Sequence, residues 1–370
     1  MFQYSHIFLV ASREIFSPLF FDALAHKTSI EVKSICVVVF QSESTDPVWP
    51  QKVDGITYIA FDDADASLFN NAKTITYFSL SCFNSTFVKQ VIELGCDIEQ
   101  KTYMFITDDE VERWLKCIEK HGAIVEDQSL YLSADDVWVL GLQRNFITLD
   151  SVFRSKLETV LGSTDIKIID AGVVFDILPT KSSVSLEKSV RLDMPSLKPR
   201  IMLGTKPSAF SYKEIKSMLT EFVATGAHVN SSFIVMWPKK QWRTRVMLEL
   251  YLFYLRKVKK QVVDLSMVTS LPPLAYTALV MSATHLVLQP RGGASTARLF
   301  AKWRRGAILT SKESYNFGLF NQVYGIEIVG YGSLKELAQG IGVCVDTLDN
   351  AKKLELEERR SLQYLDAFYS

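Results

Sequence analysis

Several signals that would narrow the reading of this sequence are absent. Cysteine is scarce: Cys36, Cys82, Cys96, Cys117 and Cys344 are odd in number, scattered and without metal-ligand spacing. That argues against a disulfide framework and fits buried free thiols in a reducing compartment. Charge of one sign is missing too. Lys+Arg and Asp+Glu both number 41, so no global charge calls for nucleic acid. No apolar run reaches the ~18 residues of a membrane span. The first residues lack a basic stretch followed by an apolar core and a cleavage site. A cytoplasmic protein without a transmembrane helix is expected. The five histidines lie far apart and none pairs at i, i+4 as a metal site would need. Ser12 and Ser79 lack a nucleophile-elbow context, which leaves hydrolase chemistry little support. There are no tandem repeats and no low-complexity runs.

What is present is an ordinary globular composition, 48% hydrophobic and 22% charged over 370 residues. At roughly 100–200 residues per domain, this length suggests two domains. Short apolar runs at 6–11, 32–40, 56–61, 74–80 and 103–107 read as strands. Amphipathic stretches such as 84–94 lie between them. Strand and helix alternate, which predicts a mainly parallel α/β sheet. Residues 128–162 read as helical, with Ser133 as a cap, and 166–169 and 173–177 return to strand. The chain then turns Lys-, Ser- and Pro-rich without a sustained period, and 181–199 reads as a linker. From residue 200 the same grammar restarts. The expected architecture is two Rossmann-like domains facing a central cleft, 1–180 and 200–345. A charged helix over 346–370 follows.

The most informative stretch is 284–317, THLVLQPRGGASTARLFAKWRRGAILTSKESYNF. An apolar run breaks at Pro290, Arg291, Gly292 and Gly293. Ser295 or Thr296 then caps a helix to about Trp303, and a second strand and a polar loop follow. In open α/β sheets, ligands bind at the carboxyl ends of strands. Two glycines let backbone approach a ligand, and free N–H groups at a helix start beside Arg291 suit a diphosphate. A Gly-rich turn that merely connects two elements is the alternative. Gly204, Thr205 and Lys206 end the first strand of the second half and suit the same diphosphate. Glu313, with Ser314 and Asn316, follows the last strand of the unit, where a carboxylate can accept ribose or sugar hydroxyls.

These pieces carry a resemblance. VDLSMVTSLPPLAYTALVMSATHLVLQP resembles the strand, short helix and strand before the donor loop of GT-B glycosyltransferases. More narrowly, RIMLGTKPSAFSYKEIKSML, QPRGGASTARLF and ILTSKESYNF resemble segments of the 4-acetamido-4,6-dideoxygalactose transferases of enterobacterial common antigen synthesis. The match covers roughly 200–330. It departs from the commoner GT-B pattern of Glu-x-x-x-x-x-x-Glu near this loop, where Arg291 and the glycines stand instead. The resemblance implies an inverting transferase that uses no metal and no cofactor. It implies a UDP- or dTDP-sugar donor bound by 200–345 and, on the side of 1–180, a glycan or polyprenyl-diphosphate-linked acceptor in bacterial surface polysaccharide assembly. A nucleotide-sugar epimerase of the same fold and a non-catalytic GT-B-like partner protein are the rival readings.

An inverting transferase needs a base to deprotonate the acceptor hydroxyl. Glu14, Asp62, Asp63 and Asp108 are the candidates at strand ends of the first half, with Asp109 beside the last; helix capping is the competing role for Asp108 and Asp109. Asp63–Ala64–Asp65 matches Asp-x-Asp, a metal pattern of another glycosyltransferase fold, but so short a match is common by chance. Finally, 239–260 holds eight basic residues against one acid, Glu249, interleaved with Trp242, Tyr251, Phe253 and Tyr254. Such a surface either rests on anionic lipid at the inner face of the cytoplasmic membrane or is a solvated helix face over buried aromatics.

Overall fold

Strands in a parallel sheet are covered on both faces, so they read as continuous apolar runs rather than alternating ones. The strand Ile35–Phe40 is such a run, ICVVVF, buried throughout. A computed structural model describes residues 4–12, 14, 16–41, 49–95, 97–106, 109–192 and 198–370. The chain forms two units, Met1–Phe175 with Glu358–Ser370, and Asp176–Glu357.

The first unit is built on seven parallel strands: β1 (His6–Ala11), β2 (Ile35–Phe40), β3 (Thr57–Ala60), β4 (Thr74–Phe78), β5 (Thr102–Phe105), β6 (Asn145–Thr148) and β7 (Lys167–Asp170). Their order is β3-β2-β1-β4-β5-β6-β7, with Phe8 in register with Val37 on one side and Thr76 on the other. Helices α1 (Ser17–Lys27), α2 (Ala66–Asn71), α3 (Ser85–Ile92), α4 (Asp109–His121), α5 (Ala134–Leu142) and α6 (Asp150–Leu161) make the crossovers. One face packs as an aromatic cluster. Phe8 meets Phe20 and Phe21 at centroid distances of 5.8 and 5.0 Å, and Phe20 meets Phe105 at 5.3 Å. The chain's last residues close this core: Leu365 and Tyr369 are buried in it.

The second unit opens with α7 (Thr180–Leu192) and repeats the plan. Strands β8 (Arg200–Leu203), β9 (Ser232–Met236), β10 (Asp264–Val268), β11 (His285–Val287), β12 (Ala307–Ser311) and β13 (Val329–Tyr331) run parallel in the order β10-β9-β8-β11-β12-β13. The helices are α8 (Tyr212–Ala224), α9 (Trp242–Lys257), α10 (Pro273–Met281), α11 (Ala294–Lys302), the single turn α12 (Tyr315–Phe317), α13 (Leu334–Gly340) and α14 (Thr347–Tyr369). Side chains alternate across the sheet. Ile201, Leu203, Phe233 and Val235 pack under α8 and α13, while Met202, Ile234, Leu286 and Ile308 pack with α10 and α11. Two Rossmann-like domains are thus what the chain forms.

Four local expectations are corrected. The span read as linker holds α7: its serines and lysines hide the period, but Leu186 packs against the second unit's core. The span 173–177 is not a strand; Val174 and Phe175 bury their side chains while the backbone joins no sheet. The helical reading of 128–162 missed β6, a four-residue strand too short to show a period. Nor are all the thiols buried: Cys36 and Cys117 are, but Cys82 and Cys344 are exposed. Ser133 does cap α5, accepting from the Asp136 N–H while Asp136 accepts from its own.

His6 ties the sheet to the chain's end. Its Nδ1 lies 2.9 Å from Thr74 Oγ1, and its ring meets Tyr369 edge-on at 5.3 Å. Burial, then the charge of Lys73, lowers its pKa from 6.5 to about 4. The unfolded chain therefore binds the proton first, so stability is lost as pH falls from 6.5 towards 4. The difference is worth about 3 kcal/mol. Melting curves between pH 4.5 and 8 should show a steep acid loss that flattens in His6→Gln; parallel profiles would refute this.

Candidate functional site

Strand order places the site in the second unit. Reading outward from β8, the chain goes to β9 and β10 on one side and to β11 and β12 on the other. The connections leaving the carboxyl ends of β8 and β11 therefore part to opposite faces, the place where open α/β sheets have their ligand-binding crevice. The two loops that border it are Gly204–Lys206 and 288–293, the two read from the sequence as a diphosphate site.

Gly204 turns the chain with φ +77°, and a Cβ there would stand 2.4 Å from that of Ala209. Gly292 and Gly293 are also left-handed, with φ +76° and +79°. A Cβ on Gly293 would stand 2.3 Å from Thr205 Oγ1, and one on Gly292 would stand 3.3 Å from Lys206 Nζ. The two loops are therefore in contact, backbone against side chain.

One residue the sequence reading did not single out locks them together. Gln289, buried at the end of β11, accepts from the Thr205 N–H at 3.2 Å. Its amide nitrogen donates to Thr205 Oγ1 at 2.8 Å and to the Gly292 carbonyl at 3.1 Å. Asn316 completes the brace, donating to the carbonyls of Gln289 at 2.6 Å and Gly292 at 3.0 Å. Both partners are acceptors, which settles the orientation of that amide. Tyr276 adds a third tie, donating to the Thr205 carbonyl at 2.6 Å and lying 3.1 Å from Thr296 Oγ1. Burial pushes its phenol above the ordinary range, so it stays a neutral donor. A polar residue directly after an apolar strand was the available signal for Gln289.

The proposed donor residues thus divide. Thr205, Thr296, Ser314 and Asn316 are buried and hold the loops. Ser314 accepts from the Phe317 N–H at 3.0 Å and donates to the Ser311 carbonyl at 2.6 Å. Lys206 and Glu313 are exposed, and Arg291, Gly292, Gly293 and Ser295 are half-buried. The Arg291 guanidinium lies 5.4 Å from the centre of the Tyr315 ring. Helix α11 begins at Ala294 with Gly293 in the cap position, not at a Ser295 or Thr296 cap, and among the described residues no side chain caps it. An uncapped N-terminus beside Lys206 and Arg291 concentrates positive potential.

In the first unit, Glu14 caps α1: its carboxylate accepts from the N–H groups of Phe16, at 2.8 Å, and Ser17. Asp62 and Asp63 are exposed on the turn after edge strand β3. Asp65 caps α2, accepting from Leu68 N–H at 3.0 Å. Asp108 lies outside the described residues. The turn after β4 is left-handed at Ser79, φ 55°, and Asn84 holds it by accepting from the Ser81 N–H at 2.9 Å and donating to the Ser79 carbonyl at 3.0 Å. Burial raises the pKa of Asp136, against the bonds from Ser133. Among the described residues, no three His, Cys, Asp or Glu side chains gather as a metal site would need.

The brace is testable. Gln289→Leu keeps the bulk but strands the Thr205 N–H and leaves the Gly292 carbonyl only its bond from Asn316. It should lower stability by about 1–3 kcal/mol in urea denaturation; an unmoved midpoint would show that the amide holds nothing.

No family model matches the sequence, and no curated protein matches it. Solved structures do share its architecture. The E. coli trehalose-6-phosphate protein bound with UDP-2-fluoro glucose has a TM-score of 0.58 at 9% identity, covering 98% of each chain. Medicago truncatula UGT71G1 with UDP-glucose has 0.54 at 11%, covering 100% of this chain and 98% of the other. The UDP-GlcNAc 2-epimerase of Methanocaldococcus jannaschii has 0.52 at 10%, covering 92% of each. At such identities the likeness is one of fold, that of two Rossmann-like domains.

Proposed function

We propose that this chain is a GT-B-type glycosyltransferase whose second unit binds the diphosphate of a UDP- or dTDP-sugar. The observation that carries the reading is the convergence at the crevice between β8 and β11. Gly292 and Gly293 expose backbone, Lys206 and Arg291 bring charge, and the start of α11 offers backbone N–H groups that no side-chain cap of its own holds. Each suits a diphosphate, and together they stand where open α/β sheets take ligands. Two proteins of the same fold have been solved with UDP-sugars bound.

In the finer reading, the sugar passes with inversion to a glycan or a polyprenyl-diphosphate-linked acceptor in bacterial surface polysaccharide assembly, at the inner face of the cytoplasmic membrane. The resemblance of the second half to the 4-acetamido-4,6-dideoxygalactose transferases supports it. Lys206 and Arg291 neutralise the leaving diphosphate without a metal. Glu313 serves a hydroxyl of the donor, and Thr205, Thr296, Ser314 and Asn316 act by holding the loops. Glu14, Asp62, Asp63 and Asp108 remain the carboxylates proposed for the base. Of these, Glu14 has both oxygens engaged at the start of α1, which favours the others.

Titration calorimetry with UDP and dTDP tests the donor site. Arg291→Ala should weaken binding by about 1.5–3 kcal/mol, as a lost hydrogen bond to a charged group does; unchanged affinity in a folded variant would refute it. Transfer should persist in EDTA, and rescue by magnesium or manganese would return attention to Asp63 and Asp65. Conversion of the nucleotide sugar with no acceptor present would make the chain an epimerase instead.

A further inference from the structure

Helix α9 does not obey the rule that a surface helix turns its charges outward. Leu248 and Leu255 are its fully buried residues. Opposite them, Trp242, Val246, Leu250 and Phe253 follow at spacings of four, four and three, which is one side of a helix. They are 62%, 42%, 62% and 59% exposed. Met247 and Tyr254 widen the band. The helix is therefore apolar on both faces, with one of them facing out, the mark of a surface that meets a partner.

The surrounding charge identifies the partner. Arg243, Arg256 and Lys257 flank the stripe, Lys239 and Lys240 precede the helix, and Lys259 and Lys260 follow it, all exposed. The one acid, Glu249, is paired with Arg245 at 3.1 Å. A second copy packed stripe to stripe would set these cations against their equals. An anionic bilayer complements them: Trp, Leu and Phe enter the headgroup boundary while Lys and Arg reach up to phosphates. Among the described residues no helix is long and apolar enough to cross a membrane, so contact is along the surface. We infer that α9 lies on an anionic membrane with Trp242, Val246, Leu250 and Phe253 inserted. The stripe begins beside the donor loops, where Gln241 Nε2 donates to Ser208 Oγ at 3.4 Å. Its use, presenting a lipid-borne acceptor near the donor, rests on the proposed function; the contact itself does not.

The full chain is floated with vesicles of phosphatidylcholine alone or mixed with phosphatidylglycerol, without nucleotide. Binding is expected with the anionic vesicles only, weakening as salt shortens the Debye length towards ~8 Å. Leu250→Ser with Phe253→Ser should cut partitioning roughly tenfold or more at every salt. Arg243→Ser with Arg256→Ser and Lys257→Ser should weaken binding at low salt and flatten its salt dependence. Unaltered flotation of both variants, no flotation of the wild type, or a wild-type dimer that Leu250→Ser with Phe253→Ser dissociates would each overturn the inference. UDP affinity measured on the same variants separates the two claims: it should stay unchanged, since none of these residues lines the donor loops.

Discussion

A parallel strand cannot turn straight back to its neighbour; every return needs a crossing over a face of the sheet. That constraint shapes the whole chain. Among the described residues there are thirteen strands, seven in one unit and six in the other, and central ones such as Ile35–Phe40 are covered on both faces and so are apolar throughout. Because the crossings from β8 and β11 leave to opposite faces of the sheet, the ends of these two strands lie where open α/β sheets take ligands. The same packing that buries Met202 on one face and Leu203 on the other therefore opens a crevice lined by backbone. Nothing in the crevice has to be specially folded; the topology supplies it.

What fills the edge of that crevice is a small polar framework. Parallel loops carry few backbone pairs of their own, so buried N–H and C=O groups need side-chain partners. Gln289, Asn316 and Tyr276 supply them, and the glycines let the loops approach within contact distance. The outcome is a division of labour between buried residues that brace and half-buried ones that face outward. Tyr276 and Thr296 serve the brace from α10 and α11, so the loops inherit the rigidity of the helices behind them.

The second unit also carries an excess of surface that its own core does not use. Helix α9 buries Leu248 and Leu255, the former in the core with Phe233 and Val235, and leaves a second apolar stripe outside. Burying that stripe against anything apolar is favourable at roughly 25 cal/mol per Å², which a globular chain usually avoids offering to water. The basic residues around it keep the protein hydrated and choose the sign of what can cover it.

Taken alone, the amino-acid order determined a good deal. The short Val- and Ile-rich runs and their alternation with amphipathic stretches predicted two parallel α/β domains. Gly204, Lys206, Arg291, Gly292 and Gly293 stood out as backbone-exposing and cationic residues after strands. Both follow from local physics: strand patterns repeat within a few residues, and glycine marks turns whatever surrounds it. Tertiary structure decided the rest. Gln289 showed only as a polar residue after an apolar strand, because its importance comes from Thr205, 84 residues away. The helix over Thr180–Leu192 forms because Leu186 finds a core to pack against. Glu14 reads as a free acid until its carboxylate is seen holding the start of α1. Trp242 and Phe253 read equally as core or surface until the sheet fixed which side of α9 faces inward. Contacts between distant residues leave no period in the sequence, so only the folded chain displays them.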